Sequence, residues 1–339
     1  MKTRFIILLV ILMCASFGDA QFKRKLGGEL LEQTVSRFGD DGLEKSIKII
    51  KESFDSESRD RLLKQSDDII TKLGSAIAEN RKLKELLAND KNALKIWLSI
   101  SNTKSANNSD IVKFFADVMT ESGETAFYKK YLFIESGDIL LINNPNGKRV
   151  AALDGNVLTA APWKGEKDLN PLLNEIKMIP NSVYKVRGQS YIIKNDGLYK
   201  QISGVLTGLP KNKPLRSKEM QGLSKTVKDG IPVVVKGQTL RVKAGYPVFK
   251  DEGGHLIANR FGGGSEMYNY IPMSKKLNRS GGAWNSMENE WERSLKRGSK
   301  VDYKIQPIYK TNSKRPDELI VTYTIDGKRT TKYFDNNVF

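Results

Sequence analysis

The chain of 339 residues contains one histidine, His255, so any imidazole chemistry in this protein must use that residue. His255 directly follows Gly253-Gly254 and precedes the apolar pair Leu256-Ile257. Histidine is the side chain whose ordinary pKa lets it accept and release a proton near neutral pH. Because no second imidazole can substitute for it, His255 is the single candidate for a histidine acid or base.

The residues around His255 form a longer pattern that runs from Asp251 to Trp291. Its features, in chain order, are an acidic residue, Gly253-Gly254-His255-Leu256-Ile257, Phe261-Gly262-Gly263, Asn269-Tyr270-Ile271-Pro272, Leu277-Asn278-Arg279, Ala283-Trp284 and Glu288. In order and spacing this segment resembles the ββα-metal active site of the DNA/RNA non-specific endonucleases, in the branch of secreted bacterial nucleases and nuclease toxins. The similarity extends from about Asn181 to the C-terminus, which makes it far more specific than a short motif.

The resemblance implies metal-dependent hydrolysis of phosphodiester bonds. A neutral imidazole at His255 can act as general base for the attacking water. A hard divalent cation, Mg²⁺ or another such as Mn²⁺, can stabilise the charge that develops on the phosphate and the leaving oxygen, and Mg²⁺ needs only one or two protein oxygens. The family assigns the ligand role to the side-chain carbonyl of Asn278. It also implies that Glu288, four residues after Trp284 on one face of an expected helix, holds a metal-bound water.

Two departures from the family pattern concern the shape of the site. The family has Pro-Gln where this chain has Pro272-Met273, which removes one amide that could donate or accept a hydrogen bond. The segment Arg279–Ala283 is longer than its counterpart in the family. We expect its glycine-rich turn either to be absorbed in a loop or to shift the helix that carries Glu288.

Two further features leave alternatives open. The family often has an arginine between the acidic residue and the glycine, and this chain does not. Contact with the substrate phosphate would then come from Arg260 or Arg279, and the alternative for each is a solvated surface arginine. The acidic position itself corresponds to either Asp251 or Glu252.

The N-terminus is typical of a secretory signal peptide. Residues 1–20 combine a basic start, an apolar run from Phe5 to Cys14 and a small residue, Ala20, at the expected cleavage site. The apolar run is too short to span a bilayer, so no membrane span is expected and the protein is expected to be secreted and extracellular. Cys14 is the only cysteine, and the mature chain would therefore have no disulfide bond.

The charge of the chain is concentrated in its C-terminal half. Residues 21–180 contain 25 Lys and Arg against 24 Asp and Glu, whereas residues 181–339 contain 29 against 14, a net of +15. A basic domain attracts polyanions without sequence preference, through steering and counterion release. Heparin or acidic membranes would fit this charge equally well, but together with His255 and Asn278 it favours DNA and/or RNA as the partner.

Hydrophobic periodicity predicts an α+β protein with several units. Apolar residues at three-, four- and seven-residue spacings predict a helical domain over residues 21–125. Short β runs such as Ile139–Ile142 predict a small β-rich segment over residues 126–180. Residues 181–339 are expected to form the basic ββα-metal nuclease domain. In that domain, the run Tyr184–Ile193 followed by Asn195-Asp196-Gly197 predicts a hairpin.

The expected C-terminal domain is a twisted antiparallel sheet with the His-bearing loop and the Trp284 helix packed beside it. Trp284 and Trp291 are seven residues apart and share a helical face, so we expect both in the core. The favoured function is a secreted, metal-dependent, non-specific endonuclease. Two alternatives remain: a catalytically inactive nucleic-acid-binding protein, and a secreted effector that acts on an unknown protein partner through its helical N-terminal domain.

Overall fold

The computed structural model describes residues 41–63, 67–121, 127–162, 170–174, 178–210, 233–235, 238–240, 251–310 and 315–337. The chain divides into two compact units, Met1–Lys91 and Asn92–Phe339. The expected signal peptide, residues 1–20, lies outside the described residues. Within the described ranges, no helix is both long enough and apolar enough to cross a membrane.

The first unit is helical over its described part. Its helices are α1 (Asp41–Ser53), α2 (Ser56–Leu62), α3 (Asp67–Glu79) and α4 (Arg81–Asn89). Helices α1 and α3 approach closely, because a Cβ on Gly74 would lie 2.2 Å from the Cβ of Ser46. Asn80 begins α4 by accepting a hydrogen bond from the backbone N–H of Leu83 at 3.1 Å. The helices agree with the expected helical character of this region, while the proposed boundary at residue 125 stays a prediction.

The second unit begins with helices and continues into strands. Its first helices are α5 (Lys91–Ser101, starting at the last residue of the first unit), α6 (Ser109–Met119) and α7 (Phe127–Lys130). The strands of the described residues are β1 (Leu132–Ser136), β2 (Ile139–Asn143), β3 (Arg149–Asp154), β4 (Val157–Ala160), β5 (Val183–Val186), β6 (Gln189–Ile193), β7 (Tyr199–Leu206), β8 (Val233–Val235), β9 (Gln238–Leu240), β10 (Asp251–His255), β11 (Tyr270–Ser274), β12 (Val301–Ile308), β13 (Glu318–Ile325) and β14 (Lys328–Asp335). Two more helices, α8 (Lys275–Asn278) and α9 (Ala283–Lys296), lie between β11 and β12.

A ten-stranded sheet forms the framework of this unit, in the order β1-β2-β3-β4-β5-β6-β7-β12-β13-β14. Neighbouring strands are antiparallel except for the parallel pair β4 and β5. The strands β8–β9 and β10–β11 form separate two-stranded sheets. This architecture confirms the mixed α+β class. Strands from both sides of residue 180 share one sheet, so the sheet marks no boundary there. The proposed division at that residue stays a prediction.

Helix α9 packs its apolar face onto the end of the sheet formed by β12 to β14. The ring of Trp291 lies 5.4 Å from Tyr303 and 5.5 Å from Tyr323, and the ring of Trp284 lies 5.2 Å from Phe334. Trp284 and Trp291 are each 1% exposed, which confirms that both belong to the core. Large aromatic rings gain free energy from such burial, and here they attach α9 firmly to the sheet.

The segment predicted to form one hairpin, near residue 190, forms two successive hairpins. Strands β5 and β6 are joined at Arg187-Gly188, where φ is 51° and 78°. The turn at Asn195-Asp196-Gly197 connects β6 to β7 instead. An arginine in the left-handed region is disfavoured, so the first turn carries only a weak sequence signal.

Candidate active site

The strands β10 and β11 form a hairpin with an unbroken antiparallel register from Asp251 opposite Ser274 to His255 opposite Tyr270. His255 is therefore the last residue of a strand, which corrects the expectation that it lies in a loop. Its ring is 4.2 Å from the ring of Tyr270, at an interplanar angle of 41°. Because Tyr270 is buried, the pairing gives the imidazole a fixed neighbour on the facing strand.

The departure at Met273 is explained by packing inside this hairpin. Met273 is fully buried, and a Cβ on Gly254 would lie 2.5 Å from the Cβ of Met273. A side chain larger than hydrogen at residue 254 would collide with the methionine. The second glycine before His255 is thus required by the close approach of the two strands.

The segment between the two strands, residues 256–269, is held by Asn269. The Asn269 side chain is fully buried; its Nδ2 donates to the carbonyls of Ile257 at 2.7 Å and Gly264 at 2.8 Å. Its Oδ1 accepts from the N–H of Ile257 at 3.0 Å, and its backbone carbonyl accepts from Leu256 at 2.8 Å. Sequence reasoning included Asn269 in the motif but assigned it no role. The signal available in the sequence was a polar residue, Asn269, directly before an apolar strand.

The two adjacent acidic residues have different surroundings. Asp251 forms a two-pronged ion pair with Arg315, with Nε–Oδ2 at 2.7 Å and Nη2–Oδ1 at 2.9 Å. The side chains of Asp251 and Arg315 are 10% and 9% exposed. Arg315 also donates to Asn337 Oδ1 at 2.9 Å and to the carbonyl of Asn336. Asp251 therefore joins the start of β10 to the C-terminal residues, and sequence reasoning missed its partner.

Asn336 completes this attachment from the other strand of the hairpin. Its Oδ1 accepts from the N–H of Ser274 at 2.8 Å, and its Nδ2 donates to the carbonyls of Pro272 at 3.0 Å and Pro316 at 2.7 Å. Asn336 is fully buried, so each of these bonds forms away from solvent. Such bonds are costly to lose because the groups left behind stay buried.

Glu252, on the same strand, lies beside two predicted site residues at the end of α8. Its carboxylate accepts from Arg279 Nε at 2.8 Å and is also contacted by Arg279 Nη2. Asn278 Nδ2 lies 3.5 Å from Glu252 Oε2. The hydrogen bond and negative charge of Glu252 raise the pKa of Arg279 above its ordinary value. The structure thus brings Asn278 and Arg279 together around one carboxylate.

Arg260, in the segment between β10 and β11, contacts the predicted site residue Glu288 on α9. Arg260 Nη2 donates to Glu288 Oε2 at 3.0 Å, and Arg260 Nη1 lies 2.8 Å from both Glu292 Oε2 and Asn289 Oδ1. Trp284 Nε1 donates to Glu288 Oε1 at 3.1 Å. Arg260 is therefore held by side chains of α9, and its proposed contact with phosphate stays a prediction.

The long segment between α8 and α9 is absorbed in a tight turn. The N–H of Gly282 donates to the carbonyl of Arg279 at 2.8 Å, and Gly281 has a φ of 87°. A Cβ on Gly282 would lie 2.3 Å from the carbonyl oxygens of Lys276 and Leu277. Both glycines are thus needed for the turn between the end of α8 at Asn278 and the start of α9 at Ala283.

The metal-binding chemistry available here is that of oxygen donors. In the described part of the chain, no cluster of three or more His, Cys, Asp or Glu side chains could hold a metal ion. The oxygens of Asn278 and Glu252 lie at the ends of α8 and β10, and α8 packs beside both strands of the hairpin. Hydrogen-bonding of the Asn278 amide nitrogen toward Glu252 leaves its Oδ1 as the atom available to a hard cation.

Part of the chain is similar in sequence to known proteins. Residues 235–327 match the family model described as DNA/RNA non-specific endonuclease. Over 83 residues, the chain is 41% identical to the type VII secretion system protein EssD of Staphylococcus aureus strain USA300. That match covers 23% of this chain and 14% of the relative, so the chain spans only a small part of the length of this curated relative.

A search of solved structures also finds similarity to two nucleases, at low sequence identity. NucA from Streptococcus agalactiae with magnesium ion bound is 14% identical, with a TM-score of 0.33, and the match covers 68% of this chain and 93% of NucA. Sda1 nuclease with bound zinc ion is 16% identical, with a TM-score of 0.30, covering 41% of this chain and 70% of Sda1. The assignment itself rests on the sequence matches. The segment that matches the DNA/RNA non-specific endonuclease model, residues 235–327, includes the β10–β11 hairpin and α9.

Proposed function

We propose that this protein is a metal-dependent, non-specific endonuclease that hydrolyses phosphodiester bonds of DNA and/or RNA. The observation that carries the proposal is the composition of one ββα unit inside the matched segment. That unit contains the only imidazole of the chain, His255, together with Asn278 and Glu288. Hydrolysis of a phosphodiester needs a base for the attacking water and neutralisation of charge on the phosphate, and these residue types supply both.

His255 is proposed as the general base. The position of His255 at the end of β10 is held by its pairing with Tyr270 and by the bonds that Asn269 makes to the residues after it. A base must stay within hydrogen-bond reach of the water whose proton it removes, so a rigid support for the imidazole favours this role.

Asn278 is proposed as the protein ligand of a divalent cation, with Mg²⁺ the first candidate and Mn²⁺ another. The fit to such an ion rests on the donor set: an amide oxygen at the end of α8, with the carboxylate of Glu252 close to the amide nitrogen. When bound, the cation would stabilise negative charge on the phosphate and on the leaving oxygen. Glu288 is proposed to hold a water of that ion, and Arg260 and Arg279 to contact substrate phosphate.

We further propose that the protein is secreted and binds nucleic acid without sequence preference. The signal peptide expected at residues 1–20 supports the first proposal. The name of one similar protein, a type VII secretion system protein, agrees with it. The net charge of +15 over residues 181–339 supports the second proposal, because binding driven by phosphate contacts carries little sequence information.

One observation favours a second candidate, a nucleic-acid-binding protein without catalysis. Both carboxylate oxygens of Glu288 already accept hydrogen bonds, from Arg260 and from Trp284. Arg260 in turn is held by further side chains of α9. If these contacts persist when nucleic acid binds, Glu288 and Arg260 support the fold instead of the reaction.

Degradation of a plasmid by the purified full chain, with and without EDTA, separates the two candidates. We expect cutting that EDTA abolishes, and a loss of about 10²- to 10⁴-fold in His255→Ala, the usual effect of removing a general base. Thr331→Ala, an exposed residue of β14, is the matched control and should cut at the parental rate. Binding without cutting would favour the second candidate. Full activity of His255→Ala would exclude the proposed mechanism.

A further inference from the structure

We propose that Tyr191 and Tyr199, on strands β6 and β7 of the large sheet, are positioning residues for His255. Their hydroxyl groups contact Asn269 and Tyr268, the two residues that precede the facing strand of the His255 hairpin. The inference rests on the proposed role of His255 as general base. It assigns a function in catalysis to strands that lie outside the segment 235–327 matched by the family.

Tyr191 reaches the hairpin through Asn269. The side chain of Tyr191 is fully buried, and its hydroxyl lies 2.7 Å from Gln189 Oε1 and 3.3 Å from Asn269 Oδ1. A tyrosine hydroxyl has a single proton, which Gln189 and Asn269 therefore share as acceptors. The shorter bond, to Gln189, is the stronger of the two. The same Asn269 oxygen accepts from the N–H of Ile257, so any shift of Asn269 is passed to the residues after His255.

Tyr199 reaches the hairpin one residue earlier, at Tyr268. Its hydroxyl donates to the backbone carbonyl of Tyr268, and burial raises its pKa well above the ordinary value, which keeps the hydroxyl protonated as a donor. The rings of Tyr191 and Tyr268 also meet edge to face, with centroids 4.9 Å apart. Two adjacent strands therefore hold two consecutive residues, Tyr268 and Asn269.

This attachment flanks His255 on both sides of the hairpin. On the facing strand, Tyr270 follows Asn269 directly, and its ring lies 4.2 Å from the imidazole. Directly after His255, the backbones of Leu256 and Ile257 form three hydrogen bonds with Asn269. A hairpin outside the large sheet thus has its imidazole-bearing end anchored to that sheet by hydroxyl groups.

The test compares Tyr191→Phe and Tyr199→Phe with the control Tyr184→Phe. Tyr184 lies directly opposite Tyr191 in the β5–β6 register, is buried, and accepts a hydrogen bond from the N–H of Ile179 at 3.0 Å. All three variants lose one hydroxyl and keep the ring. Only the first two lose a contact with the hairpin, so a merely structural role predicts no difference between them and the control.

Two readouts are available for these variants. The first is the nuclear magnetic resonance signal of the imidazole, which needs no assignment because the chain contains one histidine. We expect Tyr191→Phe and Tyr199→Phe to shift or broaden this signal in the metal-free protein, and Tyr184→Phe to leave it unchanged. The second is the split between kcat and KM on plasmid DNA. We expect kcat to fall about 10- to 100-fold with KM almost unchanged, as for a misplaced catalytic group.

The outcomes distinguish this inference from the proposed function. An unchanged imidazole signal and kcat in both tyrosine variants would overturn the positioning role, whatever His255 does. Equal effects in Tyr184→Phe would also overturn it, because general loosening of the sheet would then suffice. If His255→Ala cuts at the parental rate while the imidazole signal still moves in the two variants, the contact is real and the proposed base is wrong.

Discussion

Replacing Asp251 with Asn would leave the guanidinium of Arg315 buried without its anionic partner. Asp251 and Arg315 have side chains that are only 10% and 9% exposed, and two hydrogen bonds of 2.7 and 2.9 Å join them. Breaking such a buried pair from one side typically costs about 3–5 kcal/mol, because the remaining charge has no water to solvate it. We therefore expect Asp251→Asn to lower the free energy of unfolding of the second unit by about this amount.

The neighbouring carboxylate supplies the control. Glu252 pairs with Arg279, but their side chains are 22% and 64% exposed. Ion pairs with a partner this open to solvent contribute about 0–1 kcal/mol, so Glu252→Gln should cost less than about 1 kcal/mol. Two adjacent acidic residues of one strand are thus expected to differ several-fold in their effect on stability.

Urea denaturation followed by tryptophan fluorescence measures this difference. The four tryptophans, the first of which is Trp97, all follow Lys91, so the signal reports the second unit alone. In the double variant Asp251→Asn with Arg315→Met, no buried charge is left, and part of the lost stability should return. A cost below about 1 kcal/mol for Asp251→Asn, or equal costs for the two carboxylates, would refute the reasoning from burial.

Three further outcomes are expected. Asn278→Ala should weaken the binding of Mg²⁺, measured by calorimetry, and high Mg²⁺ should restore part of the activity; overlapping titrations of variant and parent would exclude Asn278 as the ligand. Affinity for DNA should fall steeply with salt and be independent of sequence, measured by fluorescence anisotropy; cleavage confined to one short sequence would contradict this. Burial raises the pKa of Glu290, but hydrogen bonds from Lys332 and Tyr323 outweigh it and hold that pKa below its ordinary value. A carboxylate whose pKa is lowered in the folded state stabilises the fold at pH values above its ordinary pKa. This stabilisation is lost as the pH falls through the lowered pKa. Glu290→Gln should therefore be less stable than the parent at pH 7, by under about 1 kcal/mol at this partly exposed site, and the difference should vanish well below about pH 4; a difference that persists there would refute the linkage.

Much of the fold class and the candidate residues could be predicted from the sequence because their signals are local. The seven-residue spacing of Trp284 and Trp291 places both on one face of α9, and both are buried. The apolar run at Ile139–Ile142 forms β2. The motif around His255 could be found in the same way, since its residue types and spacing lie within one short stretch of chain.

The contacts that hold the candidate site depend on the packing of residues that are far apart in the chain. Arg315 is 64 residues from Asp251, and Tyr191 is 78 residues from Asn269, so no periodicity or motif joins either pair. Arg260, a candidate for contact with substrate phosphate, contacts Glu288, Asn289 and Glu292 of α9, which lie 28 to 32 residues further along the chain. Which side chains can do chemistry, and which segments form helices and strands, could be read from the sequence because both follow from residue type and near neighbours. Their partners depend on which distant strands the fold brings together, and a buried polar group is satisfied by whatever group the packing places beside it.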